Sequence, residues 1–181
     1  MKRQLKILLL SSGFFTLAGG LIGPIYAMFV EEIGGDLLAA GSAFAAFSIA
    51  AGLLIFFVSR WEDHVKHQER LVILGWGLCC LGFYGYMLVE RPWHLAVVQV
   101  IFGIGTAVNT PAYDGLYSKY LDKGRFASEW GAWESMYYIV TAVAALMGSA
   151  VADIYGFGGL FKLMFFLSLV GFGISLLLLR H

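Results

Sequence analysis

Charge is what this chain has least of. Only 13% of its 181 residues are Asp, Glu, Lys or Arg, and 60% are hydrophobic, with mean hydropathy +0.79. A soluble domain carries about 25% charged and about 45–50% apolar residues, so a soluble globular fold is excluded. The net charge is zero, which removes the electrostatic basis for nucleic-acid binding. Cysteine is nearly absent: Cys79 and Cys80 stand side by side in an apolar run. Neighbouring cysteines are poorly placed to pair, so they read as small packing residues rather than a disulfide or metal site. Neither a nucleophile–base constellation, a phosphate-binding loop nor a zinc motif is found. The chain is therefore read as a non-enzyme without cofactor or metal. His64 and His67, at i and i+3 in the stretch 59–69, read as solvated loop histidines.

What is present is a series of long apolar segments: Leu5–Val30, Leu37–Val58, Leu71–Val89, Trp93–Lys119, Ser128–Ala152 and Gly158–Leu179. About 20 helical residues cross a hydrocarbon core of about 30 Å. The runs are too continuous for the period-two alternation of a membrane barrel. The expectation is an all-α, polytopic membrane protein: one bundle over 1–181 with six transmembrane helices. The first segment follows a basic start and resembles a signal peptide. It is too long for that and lacks a clean cleavage site, so it reads as a span.

Basic residues sort by side. Lys2, Arg3, Lys6, Arg60, Lys66, Arg70, Lys119, Lys123, Arg125 and Arg180 fall at one set of ends, leaving only Arg91 and Lys162 of the twelve at the other. By the positive-inside rule the first set is cytoplasmic, which puts both termini inside.

Pro24-Ile25-Tyr26 is echoed by Pro111-Ala112-Tyr113, 87 positions later (111 minus 24). The same offset carries the second span onto the fifth and the third onto the sixth. Three is odd, so a tandem three-helix unit (about 5–89 and about 93–179) must be inverted, a transporter signature. Pro111 is expected to kink or break the fourth span.

Polar residues favour particular faces. The fifth span carries Trp130, Trp133, Glu134, Tyr137, Tyr138 and Thr141 at helical spacing. This face reads either as aromatic packing or as a cavity wall for a solute. The fourth span carries Gln99, Thr106, Tyr113 and Tyr117 on one face, with Asn109 and Asp114 beside it, while Tyr26 follows Pro24 in the first. The third and sixth spans suit lipid contact. Asp114 and Glu134 are the acids inside spans, and such groups are functional candidates by default. Both lie nearer the cytoplasmic boundary than the midplane: Asp114 reads as a latch to loop cations, Glu134 as a coupling or substrate residue.

Ser59-Arg60-Trp61-Glu62-Asp63-His64 between the second and third spans, Gln99-Val100-Ile101-Phe102-Gly103 in the fourth and Asn109-Thr110-Pro111-Ala112 after it resemble the N-terminal half of a major facilitator superfamily transporter. The resemblance covers the whole chain. It implies six-helix halves, inverted repeats and lipid-facing third and sixth helices. It also implies a cytoplasmic latch between the second and third spans, here involving Asp63 and Arg60. Of the loop motif Gly-x-x-x-Asp-Arg-x-Gly-x-Arg-Arg only Asp63 survives. In the fourth-helix motif Arg-x-x-Gln-Gly, Gln99 replaces the Arg that the family associates with proton coupling.

The expected function is a secondary transporter subunit for a small organic solute in the bacterial inner membrane, working by alternating access as a parallel homodimer in contact with lipid. Trp130, Trp133, Tyr137, Tyr138, Gln99, Thr106, Asn109, Tyr113 and Tyr26 are the expected cavity residues; Asp114, Glu134, Asp63 and Arg60 are the expected coupling or gating residues. The alternatives are a half that requires a different second half, a fragment of a longer transporter, or a membrane binding protein that transports nothing.

Overall fold

The computed structural model describes residues 1–179. It is all-helical over those residues: α1 Arg3–Gly20, α2 Tyr26–Glu32, α3 Leu37–Glu62, α4 Gln68–Tyr86, α5 Pro92–Tyr120 and α6 Phe126–Ser175, with 3-10 turns at Gly23–Ile25 and Leu176–Leu179. Arg180, counted above among the cytoplasmic cations, lies outside the described residues. Local chemistry explains several boundaries. Pro24 sits in the 3-10 turn that separates α1 from α2, because its ring removes a donor from the helical ladder. Asp36 caps α3, its side chain accepting from the Ala39 N–H at 2.8 Å, and Pro92 opens α5 at its first position, where a missing N–H costs nothing. Pro111, in contrast, lies inside α5, which is assigned as one helix from Pro92 to Tyr120. The two prolines of the repeat therefore differ in effect: only the first separates helices.

Among the described residues, four helical stretches are long and apolar enough to cross a membrane: Arg3–Glu32, Leu37–Glu62, Pro92–Tyr120 and Phe126–Leu179. The last has 54 residues, about 81 Å if straight at about 1.5 Å per residue. It does not run straight. Gly156 interrupts it with φ 68° and ψ 178°, a backbone region open essentially to glycine alone. Met136 lies against Gly13, its Sδ 3.3 Å from where a Cβ would stand there, and Gly171 lies against Phe14 at 3.0 Å by the same measure. Two positions some 50 Å apart on a straight helix thus touch adjacent residues of α1, which requires the chain to fold back at Gly156.

Close helix packing rests on small residues, as expected where apolar surroundings offer no hydrophobic drive between helices. A Cβ at Gly148 would fall on the Leu21 carbonyl, and one at Gly75 would stand 2.7 Å from the Asn109 backbone nitrogen. These contacts seat α6 on α1 and α5 on α4. Two buried clusters result. One, around Phe15, Phe29, Phe83, Tyr86 and Phe161, fills one end of the bundle. The other, around Leu5, Leu8, Val72, Tyr113 and Tyr117, fills the end that carries the N-terminus. At that end the Met1 ammonium stands 2.9 Å from Asp122 in the α5–α6 connection and holds its carboxyl below the ordinary range through a hydrogen bond. Chain start and 121–125 loop therefore share one end of the bundle.

Candidate functional site

A cavity of about 450 Å³, open to one side, lies among the helices and is lined in part by the first cluster. Five of the six apolar segments contribute, and the first arm of α6, before Gly156, supplies none of the lining residues. Phe15, Gly19, Gly23 and Tyr26 come from the first segment, Phe44 and Phe47 from α3, Trp76, Cys79, Phe83 and Tyr86 from α4, Gln99, Phe102 and Thr106 from α5, and Met164 from α6. The volume falls in the range of small-molecule pockets, about 300–1,000 Å³. Its rings are locked by one another: Phe15 stacks on Trp76 with centroids 3.9 Å apart and 8° between planes, Phe83 meets Phe102 edge-on at 4.8 Å, and Tyr86 stacks on Phe161 at 5.2 Å. The polar focus is Gln99, only 7% exposed. Its Nε2 donates to the Tyr26 hydroxyl at 3.0 Å and to the Tyr86 hydroxyl at 3.2 Å. Among the described residues, none of those lining the cavity is an Asp, Glu, Lys, Arg or His.

Of the nine expected cavity residues, Gln99, Thr106 and Tyr26 line this space. The other six lie elsewhere. Asn109 is a strut, its Nδ2 donating to the Val72 carbonyl at 3.0 Å across the α4–α5 contact. Tyr113 donates to Ser12 at 3.1 Å, tying α5 to α1. Trp130 packs on Tyr117 at 4.7 Å and Trp133 packs beside Trp130 at 6.2 Å, in the second cluster. Tyr137 stacks on Trp133 but is 40% exposed, and Tyr138 is 67% exposed. The face of α6 that the spacing marked out is thus divided. Its contact with α1 through Gly148 and Ala144 sets the rotation of the helix, turning Glu134, Tyr137 and Tyr138 to the outside.

The expected gating residues are also on the surface. Asp114, Glu134, Asp63 and Arg60 are all exposed. Arg60 folds back on its own helix, donating from Nη1 to the Phe56 carbonyl at 2.8 Å with its guanidinium 3.7 Å from the Phe56 ring centroid. No cation among the described residues stands within 4.0 Å of Asp63 or Asp114.

Sequence reasoning passed over two buried acids and most of the aromatic lining. Glu62, 2% exposed, faces the Ala112 backbone N–H, one residue past Pro111, without closing a hydrogen bond. Glu129, 3% exposed, accepts the Asp122 N–H at 2.8 Å through its carboxylate and the Tyr117 hydroxyl at 2.6 Å through its carbonyl. It is one residue before Trp130 and four before Trp133, a spacing that signals an inward position. The third span, expected to face lipid, has two faces. Leu74, Leu81, Tyr84 and Leu88 are exposed, whereas Gly75, Cys79, Gly82, Phe83 and Tyr86 are buried. The three- and four-residue spacing of this buried set, with small residues in it, was the available signal.

The chain matches the Major Facilitator Superfamily over residues 8–181. It is 23% identical over 154 residues to the uncharacterized MFS-type transporter YitZ of Bacillus subtilis, an alignment covering 83% of this chain and 93% of that one. It is 24% identical over 163 residues to the multi-drug resistance efflux pump PmrA of Streptococcus pneumoniae, covering 85% of this chain and 39% of the pump. Over 164 residues it is 24% identical to the multidrug resistance protein MdtG of Salmonella typhimurium, covering 88% of this chain and 40% of that protein. The chain thus spans about two fifths of the multidrug relatives and nearly all of the YitZ protein. With an all-helical bundle, membrane-length apolar helices and relatives named as transporters, the chain belongs to the major facilitator superfamily.

Proposed function

We propose that this protein is a subunit of a secondary transporter that moves a small organic solute across the bacterial inner membrane by alternating access, with both termini cytoplasmic. The observation that carries the reading is the cavity of about 450 Å³ held among the helices and open to one side. Six crossings arranged as two inverted three-helix repeats account for the packing. Counting the two arms of α6 separately, exchange of the repeats maps the α3–α5 contact onto that between the first arm and α1. It likewise maps the α4–α5 contact onto that between the second arm and α1.

A second six-helix unit completes the cavity, and a second parallel copy is the leading source. One relative, YitZ, is covered over 93% of its length by this chain, which supports a working unit of this size. Residues 99, 106, 110 and 114 follow one face of α5 at i, i+7, i+11 and i+15, and Thr110 and Asp114 on it are exposed. With the exposed Glu134, Tyr137 and Tyr138 they form the surface a second unit would meet. Gln99, Thr106 and Tyr26 contact solute in this reading. Asp114 and Glu134 gate at the junction, with Asp63 and Arg60 at the cytoplasmic latch. The second reading, a different partner or further chain supplying the other half, is favoured by the 39% coverage of the pump.

Reconstitution tests the proposal. Solute uptake into proteoliposomes that disappears in Gln99→Leu and in Asp114→Asn supports it. Specific binding without any flux refutes it in favour of a membrane binding protein. Crosslinks between tagged and untagged copies through cysteines at positions 110 and 138 support the homodimer. Their absence in native membranes refutes it.

A further inference from the structure

The cavity's hydrogen-bonding groups are arranged as a set. Gln99 uses Nε2 to donate to both Tyr26 and Tyr86. Each tyrosine hydroxyl accepts one of these bonds and keeps its own proton to donate. The Gln99 side-chain oxygen remains an acceptor. The trio therefore offers two hydroxyl donors beside one amide acceptor, in a wall whose remaining residues are apolar save for Thr106. Among the lining residues of one copy no charge is available to balance a charge brought in: its ionisable acids and bases lie outside the lining. An ion moved from water into such a wall loses its hydration without a counter-charge. Aromatic faces can hold a cation in place of an acid, but here they are partly used up. Phe15 and Trp76 cover one face of each other, and Phe161 covers one face of Tyr86.

We infer that the cavity takes an uncharged aromatic solute bearing a hydrogen-bond acceptor and a donor, such as a neutral amide, whose ring enters the Phe15–Trp76–Phe83 wall and whose polar group docks on the Gln99–Tyr26–Tyr86 trio. This rests on the solute-cavity reading above and specifies its ligand class. Selectivity arises because the trio rewards a matched neutral group, while the wall penalises either sign of charge.

Three probes share one phenethyl skeleton: N-acetylphenethylamine (neutral), phenethylammonium (cation) and 3-phenylpropionate (anion). Calorimetry on the purified full chain in detergent is expected to show the neutral probe binding at least tenfold tighter than either ion. Gln99→Leu should weaken the neutral probe about tenfold, and Gln99→Glu should shift preference to the cation. Since Gln99 also holds the two tyrosines, Gly19→Leu gives an independent arm. Gly19 is on α1, lines the cavity, and has only the Phe83 ring edge at 4.0 Å from an added Cβ, so its leucine should fill the space in a folded protein and abolish binding. Equal or tighter binding of either ion by the unaltered protein overturns the inference, as does unchanged affinity in Gly19→Leu. Selective binding of the neutral probe without flux in proteoliposomes overturns the transporter reading alone and supports the ligand class.

Discussion

Gly148→Ala tests the seat of α6 on α1. A Cβ there would stand 2.6 Å from the Leu21 carbonyl carbon and 2.7 Å from its Cα, with the carbonyl oxygen nearer still. Carbon atoms rest at about 3.5–4.0 Å, so the two helices must separate locally by about 1 Å. That separation is opposed one turn away, where Gly20 already faces the Ala144 Cβ at 2.7 Å from its own notional Cβ; the pair is held at two successive levels. Overpacking costs about 1–3 kcal/mol, and the upper part of that range applies because the obstacle is backbone, which cannot rotate away. Gly131→Ala is the control. It lies on the same helix with nothing within 4 Å of an added Cβ, and replacing a helical glycine by alanine stabilises by about 0.5–1 kcal/mol. Equilibrium unfolding in mixed detergent micelles should show Gly148→Ala less stable than the unaltered protein and Gly131→Ala slightly more stable. If the two variants behave alike, α1 and the first arm of α6 do not meet at Leu21.

Other consequences are as direct. Asn109→Leu removes the bond to the Val72 carbonyl and should lower stability by about 0.6–1.5 kcal/mol, read by the same unfolding assay. Glu62→Gln should raise stability by more than about 1 kcal/mol, because it keeps the shape of a buried side chain while removing an unpaired charge; a loss would mean the carboxylate has a partner. Glu129→Ala should cost about 1.5–3 kcal/mol through the charge-assisted bond to the Asp122 N–H. Thiol labelling of Arg91→Cys in intact cells, with Lys123→Cys labelled only from the cytoplasmic side, checks the orientation drawn from the basic residues.

Much of the architecture was legible because membrane helices are written in long apolar runs. The fold-back at Gly156 was legible too, since Gly156, Gly158 and Gly159 interrupt the last long run. The α5 face was readable from the spacing of Gln99, Thr106 and Tyr113. Helix rotation was harder. Trp133, Tyr137 and Tyr138 share a periodic face of α6, but the contact at Gly148 decides which of them turns inward, and that contact lies three turns away. Hydropathy also hid the cavity. A wall of Phe15, Trp76, Phe83 and Phe102 has the composition of a lipid-facing surface, and only tertiary packing distinguishes the two. Glu62 escaped for a related reason: as a charge at the end of an apolar run it resembles a boundary residue, whereas packing of α3 against the Pro111 region of α5 buries it.

Alternating access is the central claim, and it can be tested without knowing the natural solute. A cysteine at Gly19, in a chain also carrying Cys79→Ala and Cys80→Ala, places a single thiol on the cavity wall. Membrane-impermeant thiol reagents would then be applied separately to right-side-out and inside-out vesicles. The account predicts labelling from both faces, with N-acetylphenethylamine changing the ratio of the two rates. Labelling from one face alone, with a rate that the probe only blocks, would contradict it.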